Sequence, residues 1–128
     1  MQPTQKATAD YRGMQVKSGL SMNNIGYVLY KKNKEPGVLN ANWCHSEYGI
    51  GTGTATGGSA NGFEGLYKIR YFDEKGNLQA VRELDIRKDG NCYKVSWLNN
   101  GELTAYGIGL ENSEGLSVGY RDIEVEEQ

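Results

Sequence analysis

The chain has 128 residues, 23% of them charged and 38% apolar, with a formal net charge of −2. That length suits one domain with one core, and the composition is ordinary for a soluble protein. The charge balance argues against a nucleic-acid partner, which needs a concentrated basic surface. No apolar run approaches the roughly 18 residues of a membrane-spanning helix.

Residues 1–20 carry no sustained periodicity and read as a flexible arm before a single domain over 21–128. Residues 1–17 are polar and lack the apolar core of a signal peptide, and the sequence does not choose between a cytoplasmic and a secreted protein. From Gly26 onward the apolar residues alternate with period two, and the punctuation is that of β-turns. The first strand is read at residues 27–30, the second at 38–43 and the third at 48–56. A glycine-rich loop over 57–62 follows. The fourth strand is read at 63–72, with a turn at 73–77. Residues 78–87 contain helix-favouring Gln, Ala, Arg and Glu, but Leu78, Ala80, Leu84 and Ile86 alternate, so a fifth strand is preferred. The sixth is read at 92–98, then Asn99-Asn100-Gly101, a strong hairpin signal because Asn and Gly tolerate positive φ. The seventh spans 102–110 and the eighth 116–125. The acidic end, 124–128, reads as solvated.

Eight strands with short turns must hide their edges. An antiparallel up-and-down β-barrel does so by closure, and a β-sandwich is the alternative. Glycine, at 18 residues against 2 prolines, fits either. Two internal echoes favour the meander. Tyr48-Gly49-Ile50-Gly51 returns as Tyr106-Gly107-Ile108-Gly109, which predicts a corner-turning hairpin used twice. Tyr67-Lys68-Ile69-Arg70-Tyr71, Tyr93-Lys94-Val95-Ser96-Trp97 and Leu116-Ser117-Val118-Gly119-Tyr120 each place three large residues on one face.

The last two of these segments, with the Asn99-Asn100-Gly101 turn and Gly107-Ile108-Gly109, resemble the closing strands of calycin-type barrels, the lipocalin and avidin-like group, as found in small bacterial proteins. The resemblance covers residues 90–122 well and 26–73 loosely. It implies a barrel and a habit of binding small molecules, and it carries over no catalytic residue. No Gly-x-Trp opens the first strand as in lipocalins, and no biotin-site signature is present.

Candidate site residues come from three places. Arg82 shares a strand face with Leu78, Ala80, Leu84 and Ile86. If that face is interior, its guanidinium needs a carboxylate or an anionic ligand; a bulge turning Val81 in and Arg82 out is the alternative. The aromatic set Trp43, Tyr67, Tyr71, Tyr93, Trp97 and Tyr120 either lines a cavity or packs a core. The cluster Trp43-Cys44-His45-Ser46-Glu47 could pair a thiol nucleophile with a base, although a polar turn explains it as well. Glycines 49, 51, 53, 107 and 109 leave space either for a ligand or for neighbouring rings. His45 is the only histidine, and Cys44 and Cys92 lack metal-site spacing, so no metal or cofactor is expected; the two thiols read as separate and reduced. The leading expectation is a noncatalytic barrel that binds an apolar or aromatic ligand with an anionic group at Arg82. The alternatives are an isomerase, cyclase or decarboxylase on the same scaffold, and a protein-interaction module, with a homodimer as one form of pairing.

Overall fold

Period-two alternation forms a strand in every segment where it occurs. The computed structural model describes residues 23–124, so the arm expected over 1–20 and the acidic end past 124 lie outside the described residues. The strands are β1 Gly26–Lys32, β2 Leu39–His45, β3 Gly49–Thr56, β4 Gly65–Asp73, β5 Leu78–Asp89, β6 Cys92–Asn99, β7 Glu102–Asn112 and β8 Gly115–Asp122. Each pairs antiparallel with the next. β8 returns to β1, from Gly26 opposite Tyr120 to Tyr30 opposite Leu116, and closes the barrel. Closure excludes the sandwich and leaves no sheet edge unpaired.

Local chemistry sets the turns. Asn100 and Gly101 sit at φ 52° and 85° between the paired residues Asn99 and Glu102, the two-residue geometry whose twist matches the flanking strands. In the β4–β5 turn, Asp73 Oδ1 accepts from the amides of Lys75 and Asn77, each at 2.9 Å. The segment with helix-favouring residues is strand throughout, because Leu84 and Ile86 are buried on a face the barrel must fill.

Several boundaries differ from the sequence reading. β4 starts at Gly65, since residues 57–64 form a loop that folds inward. Phe63 on that loop is buried, its carbonyl accepts the Tyr67 hydroxyl at 2.8 Å, and the Lys32 ammonium lies 5.1 Å above its ring. This loop closes one end of the barrel. Trp43, Cys44 and His45 end β2 rather than forming a turn. β8 stops at Asp122.

The Tyr-Gly-Ile-Gly echo is not a repeated hairpin corner. Tyr48 and Gly49, the latter at φ 88°, leave the β2–β3 turn, whereas the second copy lies within β7. The copies share only their facing: Ile50, Tyr106 and Ile108 point outward, while Gly51, Gly107 and Gly109 point inward.

Candidate functional site

In a closed meander the even-numbered strands all run the same way. β2, β4, β6 and β8 run from the end closed by the 57–64 loop toward the end bearing the β2–β3, β4–β5 and β6–β7 turns. Their inward residues therefore form layers. Leu39, Tyr67, Tyr93 and Leu116 fill the closed end; Ala41, Ile69, Val95 and Val118 form the middle; Trp43, Tyr71, Trp97 and Tyr120 ring the open end.

The aromatic ring of the open end is made possible by small residues beside it. Tyr71 pairs with Gly53 on one side and Ala80 on the other. Tyr120 pairs with Gly26 and Gly107. Trp43 pairs with Gly51, and Trp97 with Ala105. A methyl at residue 53 would lie 2.9 Å from the Tyr71 ring, and one at residue 26 would overlap the Tyr120 ring. Gly26, Gly51 and Gly53 make room for the Tyr120, Trp43 and Tyr71 rings, in the large-beside-small alternation that small barrels use.

Inside the open end lies a cavity of about 420 Å³. The four aromatics, with Val28 and Ala105, form its apolar wall, and Tyr48 stands at the mouth. Its polar groups are Gln79, Arg82, Thr104 and Asp122. Two of these arrive through β-bulges. Tyr71 pairs with Ala80 and Phe72 with Leu78, which leaves Gln79 as the extra residue. Trp97 pairs with Ala105 and Leu98 with Leu103, which leaves Thr104. Bulges favour barrel rims because an unpaired residue there can be re-aimed. Thr104 Oγ1 donates to the Trp97 carbonyl at 3.1 Å, and Gln79 Nε2 donates to Asp73 Oδ2 at 3.2 Å.

Arg82 stays on the inward face. The bulge lies at Gln79 and does not rotate it out, so Arg82 is half-buried beside the cavity. Its Nη1 donates to the Val81 carbonyl at 2.8 Å, and it makes no ion pair among the described residues.

The polar heart of the site is a chain of three aromatics. Trp97 Nε1 donates to the Tyr71 hydroxyl at 2.7 Å, and the Tyr30 and Tyr71 hydroxyls lie 2.6 Å apart. Burial pushes the Tyr71 hydroxyl up to about 12, although the hydrogen bonds from Tyr30 and Trp97 and the charge of Arg82 all favour its anion. Burial, and then the proximity of Tyr71, holds Tyr30 well above the usual tyrosine range. Burial likewise raises Tyr120. Trp43 turns its own Nε1 to the Thr52 carbonyl at 2.9 Å, and its ring meets Tyr71 edge-on at 6.5 Å.

His45 is buried at the rim. Its Nδ1 accepts the Glu47 amide at 3.0 Å, so Nε2 carries the proton and faces Asp122 Oδ2 at 3.2 Å. Asn24 completes this latch: its Nδ2 donates to the Asp122 carbonyl at 2.8 Å, and its Oδ1 accepts the Asp122 amide at 3.0 Å. Together they fasten the β1–β8 seam. Cys44 points outward, as the residue before an inward His45 must, so the two form no nucleophile–base pair. Cys44 and Cys92 are both free thiols.

Of the residues singled out from sequence, the fold gathers Trp43, Tyr71, Arg82, Trp97 and Tyr120 around the cavity. Tyr67 and Tyr93 do not reach it; they are buried at the closed end, where Tyr93 donates to Glu111 Oε1 at 2.7 Å. The glycine loop also lies at that end. Sequence reasoning missed Gln79, Thr104, Asp122 and Tyr30. Among the described residues no group of His, Cys, Asp and Glu is placed to hold a metal ion. Comparison with protein-family models, curated proteins and solved structures finds no match.

Proposed function

We propose that this chain is a noncatalytic small-molecule-binding barrel of the calycin type. It takes an apolar or aromatic ligand whose anionic group meets Arg82. One observation carries the reading: a cavity of about 420 Å³ opens at one end, walled by aromatic rings and bordered by a half-buried arginine without an ion pair among the described residues. Apolar walls with few, well-placed polar groups are what small-molecule sites use. Both tryptophans of the chain border this space, so their emission reports on its contents. Titration with an anionic naphthalene dye is expected to quench them, and native mass spectrometry of source-purified protein is expected to find a retained small molecule. Unchanged emission with every aromatic acid tried would refute the proposal.

The outer wall favours a second, compatible reading: pairing of two barrels. Along β8, Arg121, Gly119 and Ser117 form a shallow valley. Tyr106, Ile108 and Leu110 of β7 flank it on one side, with Ile25 and Tyr27 on the other. These five flanking side chains are 43–62% exposed. Self-pairing would cover this apolar strip as part of the ~800 Å² per partner of a standard interface. Light scattering on the full chain and on Ile108→Lys tests this, and a strict monomer at high concentration counts against it.

A further inference from the structure

Hydrogen-bond satisfaction in the Trp97–Tyr71–Tyr30 chain fixes where one proton goes. The indole N–H of Trp97 can only donate, so the Tyr71 oxygen accepts it. Between the two tyrosines either could donate. Tyr30 is fully buried; of the two groups its hydroxyl meets among the described residues, the Trp97 indole can only donate, so the Tyr71 oxygen is its one acceptor. Were Tyr71 the donor, the Tyr30 proton would be a buried donor without an acceptor, a costly arrangement. Tyr30 therefore donates, the Tyr71 oxygen receives two protons, and its own proton is left for the cavity that Tyr71 lines. Two donors into one phenol oxygen polarise its O–H and strengthen it as a donor.

We infer that the Tyr71 hydroxyl and the Arg82 guanidinium form a carboxylate subsite inside the cavity, with Tyr71 as the aimed neutral donor and Arg82 as the charge. The two lie on adjacent strands and are diagonal neighbours on the inward face, since Tyr71 pairs with Ala80 and Ile69 with Arg82. Both border the same space. A carboxylate offers one oxygen to each, and its remaining lone pairs are within the chemistry of Gln79 and Thr104, the bulge residues. The ligand class is then an aromatic or alicyclic carboxylic acid. The inference rests on the binding reading above and refines it.

The test uses three probes of one shape, 2-naphthoate, 2-naphthamide and naphthalene, titrated by tryptophan emission and by calorimetry. The wild-type chain is expected to bind the carboxylate at least tenfold more tightly than the amide. Arg82→Met is expected to erase that preference while retaining naphthalene. Tyr71→Phe is expected to weaken naphthoate about tenfold and naphthalene little. Tyr30→Phe checks the proton's direction independently of folding losses at Tyr71. If Tyr30 donates, removing its hydroxyl weakens naphthoate a few-fold; if Tyr71 had been donating to Tyr30, the freed proton would tighten it. Tighter naphthoate binding by Tyr30→Phe, or equal affinity of wild type for naphthoate and naphthamide, overturns the subsite while leaving a binding barrel standing. Failure of all three probes to bind overturns the barrel reading and the subsite with it.

Discussion

Tyr71→Phe deletes one oxygen and takes from two buried donors the acceptor they share. Trp97 is 4% exposed and Tyr30 fully buried, and both give their protons to that oxygen. An unsatisfied buried donor costs ~1–3 kcal/mol, so the expected loss is about 2–4 kcal/mol, the cavity offering water to part of the indole. Tyr30→Phe removes only a donor, leaves Tyr71 bonded to Trp97 and open to the cavity, and is expected to cost about 1 kcal/mol. The double variant removes the orphaned Tyr30 donor, so it should cost less than the sum of the singles by about 1–2 kcal/mol. Urea denaturation followed by far-ultraviolet circular dichroism measures all three without relying on Trp97 emission. Strict additivity, or a Tyr71→Phe loss no larger than that of Tyr30→Phe, would refute the assigned direction of donation.

The β7–β8 hairpin offers a paired contrast. A methyl at Gly107 runs into the Gly119 carbonyl and lies 2.8 Å from Tyr120 Cβ, while one at Gly119 meets nothing within 4 Å. Gly107→Ala should thus lose about 2–3 kcal/mol, and Gly119→Ala should gain roughly 0.5 kcal/mol; thermal melts that rank them the other way would contradict the packing. At the β6–β7 turn, Asn100→Val forces a branched residue to φ 52° and should cost about 1–2 kcal/mol, read as a lowered urea midpoint. In alkali, Tyr71 is pushed up to about 12 by burial, and Tyr93 to about 12 by its hydrogen bond to Glu111 and then by burial. Folded tyrosines that hold protons longer than unfolded ones stabilise fully below pH ~10, and that contribution drains between pH ~10 and 12. The urea midpoint should fall over this window; one that is flat from pH ~9.5 to 11.5 would show that burial and the Glu111 hydrogen bond do not hold these protons as described.

Period-two alternation made the strands and the inward faces legible, and one further step would have divided the aromatic set. In a meander, alternate strands run parallel, so the first residues of Tyr67–Tyr71 and Tyr93–Trp97 share one end and the last residues share the other. That reasoning separates Tyr67 and Tyr93 from Tyr71 and Trp97 without coordinates. Gln79 and Thr104 were not legible because a bulge is a mismatch between two strands, and the mismatch appears only once the register is known. Tyr30 was hidden for a related reason. It shares a face with Val28 and reads as core; only the closure of β1 onto β8 brings its hydroxyl to Tyr71, 41 positions away. In sequence Asp122 belongs to a strand continuing to residue 125, and its role emerges from the latch with His45 and Asn24 across the closing seam.

The inward glycines decide where the free volume lies. No glycine among the described residues borders the cavity, because the rings of Trp43, Tyr71 and Tyr120 already occupy the space that Gly51, Gly53 and Gly26 vacate. Void remains beside β5 and β7, where the residues opposite Tyr71 and Trp97 are alanines and the strands bulge at Gln79 and Thr104. A ring drawn back onto a glycine strand exposes its face to the barrel axis, so the same substitutions that tighten one side of the wall open the other. Ala80 and Ala105 give the Tyr71 and Trp97 rings their room and leave the space on their cavity side unfilled. Small residues there, with a half-buried Arg82 whose charge no described carboxylate neutralises, sacrifice stability on one side of the barrel only. That one-sided sacrifice is what the proposed binding site requires.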